Sequence, residues 1–122
     1  MAKKILLVDD AAFMRKVVKD TLSKAGYTEL FEAVDGADAV AKYDEIHPDL
    51  VLMDITMPNM DGLEALQAIR GKDSGANIVM CSAMGQESMV MDAVRFGAKD
   101  FIVKPFKSER IVKTVTNILG AP

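Results

Sequence analysis

Residues 4–10 read Lys4-Ile5-Leu6-Leu7-Val8-Asp9-Asp10, four consecutive apolar residues closed by two carboxylates. Successive side chains of a strand point to opposite faces, so a half-solvated strand alternates polar and apolar residues. A run that is apolar on both faces belongs to a strand covered on both sides, as in parallel sheets flanked by helices. Residues 50–53, 78–81 and 101–103 read the same way. A fifth run, residues 29–34, mixes polar and apolar residues and is placed at an edge of the sheet.

Working outward, apolar residues recur at helical spacing between these runs. Phe13, Val17, Val18 and Leu22 mark a first helix that stops at Gly26. Val40, Ala41 and Tyr43 mark a second after the Asp35-Gly36 turn, ended by His47-Pro48 because the residue before proline avoids helical angles. Leu63, Leu66 and Ile69 mark a third, opened by a turn at Asp61-Gly62. Residues 86–95 form a fourth, stopping at Gly97, and Ile111, Val112, Val115, Ile118 and Leu119 mark a fifth. Five strands alternating with five helices predict an α/β fold, a doubly wound five-stranded parallel sheet of order 2-1-3-4-5 built with right-handed crossovers. A closed barrel would need eight such units.

The 122 residues are expected to form one domain, since no repeat, charge block or Gly/Ser linker interrupts them. A net charge of -3, no Trp and 6% aromatics argue against a nucleic-acid partner, which calls for a basic, stacking-rich surface. The apolar run near the start is too short for a spanning helix or a signal peptide, so a cytoplasmic protein without a membrane partner is expected. The single cysteine, Cys81, lies inside an apolar run and reads as a buried, inert thiol. His47, the only histidine, sits beside a proline in an expected loop and reads as a surface residue. Most of the nine Met fall at core periods, with Met89 and Met91 the two placed to serve an adaptable surface.

Ligands of doubly wound sheets bind at the carboxyl ends of the strands. Here those ends carry Asp9-Asp10, Asp54, Ser82 and Lys104. An Asp after a strand is commonly a helix cap, and Asp10 alone fits that reading equally well. The set calls for more. Three carboxylates close together with one nearby cation are unfavourable unless a proton or a metal compensates. Mg²⁺ suits them, because it takes one or two carboxylates, several waters and phosphate oxygens. Asp54 would be the nucleophile of a phosphoryl transfer, since aspartyl phosphate is an established covalent outcome. Asp10 would hold the ion directly, Asp9 through water, with Asp54 and the main-chain carbonyl of Thr56 completing the protein's share. Ser82 and Lys104 would donate to the phosphoryl group, each gaining a partner only when it arrives.

LLVDDAAFMR, LMDITMPNMDG, VMCSAMG and GAKDFIVKPF together resemble the motifs of bacterial response-regulator receiver domains, nearest to their stand-alone chemotaxis members. The likeness spans nearly the whole chain, in order and spacing. The strand order 2-1-3-4-5 is itself known from receiver domains, so fold and resemblance are not independent expectations. The resemblance implies that Asp54 is the phosphoacceptor, Asp9 and Asp10 bind metal, Ser82 and Lys104 contact the phosphoryl group, and Phe101 is the switch aromatic. A cis peptide at Lys104-Pro105, as in the family, would aim the lysine into the site, but a single X-Pro bond is otherwise trans most of the time and the sequence leaves both isomers open. Many chemotaxis regulators have Tyr where Phe101 stands, so a switch here must work by burial alone. Thr56 and Met84 occupy the variable positions where receivers tune phosphate lifetime.

The expected product is a phosphoacceptor signalling protein rather than an enzyme, and a monomer. The resemblance implies a chemotaxis sensor histidine kinase as donor, a flagellar motor switch protein as target, and a phosphatase as a further partner. The partner surface is expected around Val90, Arg95, Phe101 and Lys113. The alternative within the family is a phosphorelay receiver that passes phosphate to another protein's histidine. A dehalogenase-like phosphatase wants a second acid two residues after the nucleophile, where Thr56 stands. A nucleotide binder wants backbone donors or glycines at the first strand end, where Asp9 and Asp10 would repel an anion.

Overall fold

The computed structural model describes residues 2–122. Its elements alternate: β1 (Lys4–Val8), α1 (Ala12–Lys24), β2 (Glu29–Ala33), α2 (Gly36–Ile46), β3 (Leu50–Asp54), α3 (Gly62–Lys72), β4 (Ile78–Ser82), α4 (Glu87–Arg95), β5 (Asp100–Val103) and α5 (Ser108–Leu119). All four strand pairings are parallel, and the order is β2-β1-β3-β4-β5. The expected doubly wound sheet is therefore present, with the mixed run at the edge as β2.

The solid apolar runs supply both layers of core. From β1, Leu6 and Val8 face the layer that includes Ala39 of α2, Leu66 and Ile69 of α3 and Ala93 of α4. Ile5 and Leu7 face the opposite layer, with Leu22 of α1 and Ile111 and Val115 of α5. This is the period-two alternation of a strand expressed on two hydrophobic faces. Among the described residues no helix is long and apolar enough to cross a membrane.

Two residues taken as markers of helical core faces point outward. Phe13 is 73% exposed at the start of α1, and Ala41 is exposed on α2, whose buried side chains are Ala39 and Tyr43. Single apolar residues on a helix surface are ordinary, so periodicity finds the helix more securely than its buried side. Asp10 caps nothing: Ala11 is the N-cap residue of α1 and makes no side-chain cap.

Register places the strand ends. Val8 pairs with Met53, so Asp9 and Asp10 emerge beside Asp54. Asp54 pairs with Cys81, and Ser82 with Val103, which brings Ser82 and then Lys104 to the same sheet edge.

Candidate functional site

Asp54 ends β3 as a buried residue, and Asp9 just beyond β1 is buried as well, while Asp10 is exposed. One oxygen from each of the three carboxylates lies within 4.8 Å of the others. Lys104 crosses from the end of β5, its Nζ donating to Asp54 Oδ1 at 3.0 Å and to Asp9 Oδ2 at 3.3 Å. The Lys104-Pro105 peptide is cis, and Nζ lies 5.9 Å from the centre of the Phe106 ring. The lysine thus has carboxylate partners in the resting site, contrary to the expectation that it would wait unpaired for a phosphoryl group. A half-buried ammonium beside three carboxylates pairs with the two buried ones because leaving it alone would cost its solvation.

The surroundings fix this corner. Asp9 Oδ1 accepts from Ala11 N–H at 2.9 Å, and its carbonyl accepts from Arg15 Nη1 at 2.7 Å. Arg15 Nε also bonds Glu32 at 2.9 Å, tying α1 to β2 across the site. Behind Asp54, Asp61 and Glu64 form a reciprocal capping box that starts α3. Gly62 permits close approach there: a Cβ at that position would lie 2.1 Å from the Asp54 carbonyl oxygen.

Burial pushes the Asp54 carboxyl above its ordinary value; the Lys104 bond and charge oppose this, and the Asp9 and Asp10 charges add to it. For Lys104, burial pulls the ammonium down, but the Asp54 and Asp9 carboxylates outweigh it and the net shift is upward. Burial also pushes the Cys81 thiol up to about 12, which fits the inert cysteine expected there. One ammonium against three carboxylates leaves negative charge uncompensated. An all-oxygen donor set with excess negative charge suits a small hard divalent cation, and the grouped carboxylates of Asp9, Asp10 and Asp54 fit it.

Ser82 is buried at the end of β4, and no described hydrogen bond engages its hydroxyl. Thr56 is exposed, as is Met84 at 84%. Phe101 is 39% exposed and borders a groove of about 300 Å³ between α4 and β5, with Met84, Met91, Val94 and Val103. Two residues of the expected partner surface sit otherwise. Val90 is buried in the core and forms only part of the groove's lining, because α4 is apolar on more than one side. Lys113 is exposed on a separate face, along a larger groove between α1 and α5 that touches none of the strand-end residues. Arg95 is exposed as expected, and Met89 packs on the core while Met91 is exposed. His47 is exposed beyond α2.

Sequence reasoning missed Arg15 and Gln86. The Gln86 carboxamide accepts from Ala83 N–H and donates to Thr56 Oγ1, each at 2.7 Å. Its partner is thirty residues away, a pairing that no local pattern signals.

The sequence matches the response regulator receiver domain family over residues 5–116. It is 58% identical over 120 residues to the chemotaxis protein CheY of Bacillus subtilis, covering 98% of this chain and 100% of that one. The structure superposes on chemotaxis protein CheY4 of Vibrio cholerae with TM-score 0.90 at 33% identity, covering 98% of this chain and 100% of the other. It also matches a chain of the CheX-CheY-BeF3-Mg²⁺ complex from Borrelia burgdorferi, with TM-score 0.90 at 37% identity, covering 95% and 88% of the two chains.

Proposed function

The chain belongs to the response regulator receiver family and is CheY-like, and on that premise we propose that it is a chemotaxis response regulator whose phosphoacceptor is Asp54. The observation that carries the reading is the strand-end carboxylate of Asp54, buried, bonded to Lys104 at 3.0 Å and grouped with Asp9 and Asp10. An Asp54 oxygen attacks phosphorus, the phosphorus–nitrogen bond of a donor phosphohistidine breaks, and the imidazole leaves with its bonding pair and takes a proton. The product is an acyl phosphate on Asp54. Lys104 turns from Asp54 to the new phosphoryl oxygens, which keeps its ammonium paired throughout. The Ser82 hydroxyl then has an acceptor, and drawing it inward opens room for Phe101 to bury its ring.

Bound Mg²⁺ would neutralise the carboxylates and the incoming phosphoryl oxygens. Asp9, Asp10, Asp54 and the Thr56 carbonyl would hold it. The relative crystallised with CheX, BeF3 and Mg²⁺ supports both the ion and a CheX-type partner.

A two-state output needs an interaction available in one state only, and the Ser82 bond to phosphoryl is such an interaction. The readout surface is the groove of Phe101, Met91 and Val94 together with Arg95, taken as the docking face for a flagellar motor switch protein, with a chemotaxis histidine kinase as donor. The protein acts in the cytoplasm as a stoichiometric signal carrier rather than a turnover enzyme.

Acetyl phosphate with Mg²⁺ should add one phosphate to the chain by intact mass, lost in Asp54→Asn and in EDTA. Equal labelling in EDTA, or labelling that survives Asp54→Asn, would overturn the reading.

A further inference from the structure

We propose that Gln86 is a positioning residue of the phosphoryl site, a clip whose carboxamide ties the loop after Asp54 to the loop after Ser82. The inference rests on the phosphoacceptor reading of Asp54. Gln86 is the N-cap residue of α4, yet its side chain makes no capping bond to that helix. It turns across the two loops instead, accepting from Ala83 N–H with Oε1 and donating to Thr56 Oγ1 with Nε2. Among the described hydrogen bonds, no other side chain links these loops.

Each anchor adjoins a group that must face the acyl phosphate. Thr56 lies two residues beyond Asp54, and Ala83 directly follows Ser82. Little else restrains the second loop: Ala83, Met84 and Gly85 are exposed, and Gly85 has a φ of 90° with open space beside its Cα. Movement of Ser82 toward a phosphoryl group must therefore carry the clip or break it. When the clip parts, the two loops separate and water gains a path to the acyl phosphate. Gln86 itself touches no reacting atom. It sets how often that path opens.

A link with two anchors is cut by removing either one. Gln86→Met keeps the stem and loses both bonds, and Thr56→Val removes one anchor while keeping the main chain. Each should shorten the half-life of phospho-Asp54 by about three- to tenfold, the factor that one net hydrogen bond carries. The double variant should decay no faster than the faster single one, because the pair acts as one unit in a double-mutant cycle.

The experiment labels the four proteins with acetyl phosphate and Mg²⁺, removes the donor, and follows decay by intact mass alongside thermal midpoints. Faster, non-additive decay with midpoints that stay together is the expected result. Gln86→Ala, which removes the same bonds with a shorter stem, should repeat it. Wild-type decay in both Gln86 variants, or effects of Gln86 and Thr56 that multiply independently, would overturn the clip. Loss of labelling in Gln86→Met would overturn it too, by making the carboxamide part of the transfer. Failure of the wild-type chain to label at Asp54 would instead overturn the phosphoacceptor reading, and the clip with it.

Discussion

β3 and β5 both flank β4, yet they are built to different standards. Every residue of β3 is buried, whereas in β5 only Ile102 is. The helix that follows β3 opens with a reciprocal capping box, while α4, which leads into β5, has no side-chain cap at all. Among the described residues, six of the eight large hydrophobic residues left exposed fall between Met84 and Val103. The difference separates two tasks. The proposed chemistry at Asp54 requires carboxylates held against their own repulsion, which a buried and capped corner does. A readout requires an element with more than one accessible arrangement, and weakly buried, uncapped segments are drawn from the low-stability end of a fold.

The sharpest way to break this comparison is to insert one methyl group on each side. Gly62→Ala drives a Cβ into the Asp54 carbonyl, a backbone clash that nothing flexible can relieve. We expect a loss of about 3 kcal/mol, the upper part of the range for overpacking. Gly85→Ala meets open space and only the strain of positive φ, costing about 1 kcal/mol. Urea unfolding of both variants decides; equal losses would erase the distinction between the two regions.

Ser82 joins the regions, so Ser82→Ala should uncouple them. Asp54 should still label, while the phosphate-dependent gain in affinity for a motor-switch peptide, about tenfold or more if it is driven by burying the Phe101 ring, should largely vanish. Titration of phosphorylated and unphosphorylated protein measures both arms. An undiminished gain would route the coupling elsewhere.

A smaller effect concerns what the rigid corner costs. Burial raises the Asp54 carboxyl, so the fold favours its neutral form. That stabilisation is present below the unfolded-state value and is lost as pH rises through the folded value. At neutral pH in EDTA, Asp54→Asn should therefore raise the thermal midpoint, by roughly 2–8 °C if the gain is about 1 kcal/mol. The advantage should shrink as pH falls into the carboxylate range. A midpoint lowered by Asp54→Asn would mean that the Lys104 bond outweighs burial.

The two regions were also unequally legible in the sequence. β1, β3 and β4 are short, solidly apolar and closed by polar residues, so the strands, their ends and the meeting of Asp9, Asp10, Asp54, Ser82 and Lys104 followed from pattern and topology. Pairing of Lys104 in the resting site did not follow, because it depends on the balance of charges once the strands are assembled. On the readout side the pattern says less. α4 carries Met89, Val90, Met91 and Val94, and spacing alone does not say that Val90 faces the core while Met91 faces out. α5 has a clear apolar face, but nothing local tells which of its neighbours borders Lys113. Gln86 was invisible for the plainest reason, since its role exists only through a partner thirty residues away.

Hydrogen exchange read by peptide mass spectrometry tests the division most directly, on wild-type protein with Mg²⁺, before and after acetyl phosphate. Exchange should change on phosphorylation across residues 82–103, while β1 and the buried body of β3 keep the rates they had. Changes spread evenly over the sheet, or confined to β1 and β3 with residues 82–103 untouched, would contradict a fixed chemical corner coupled to a mobile readout face.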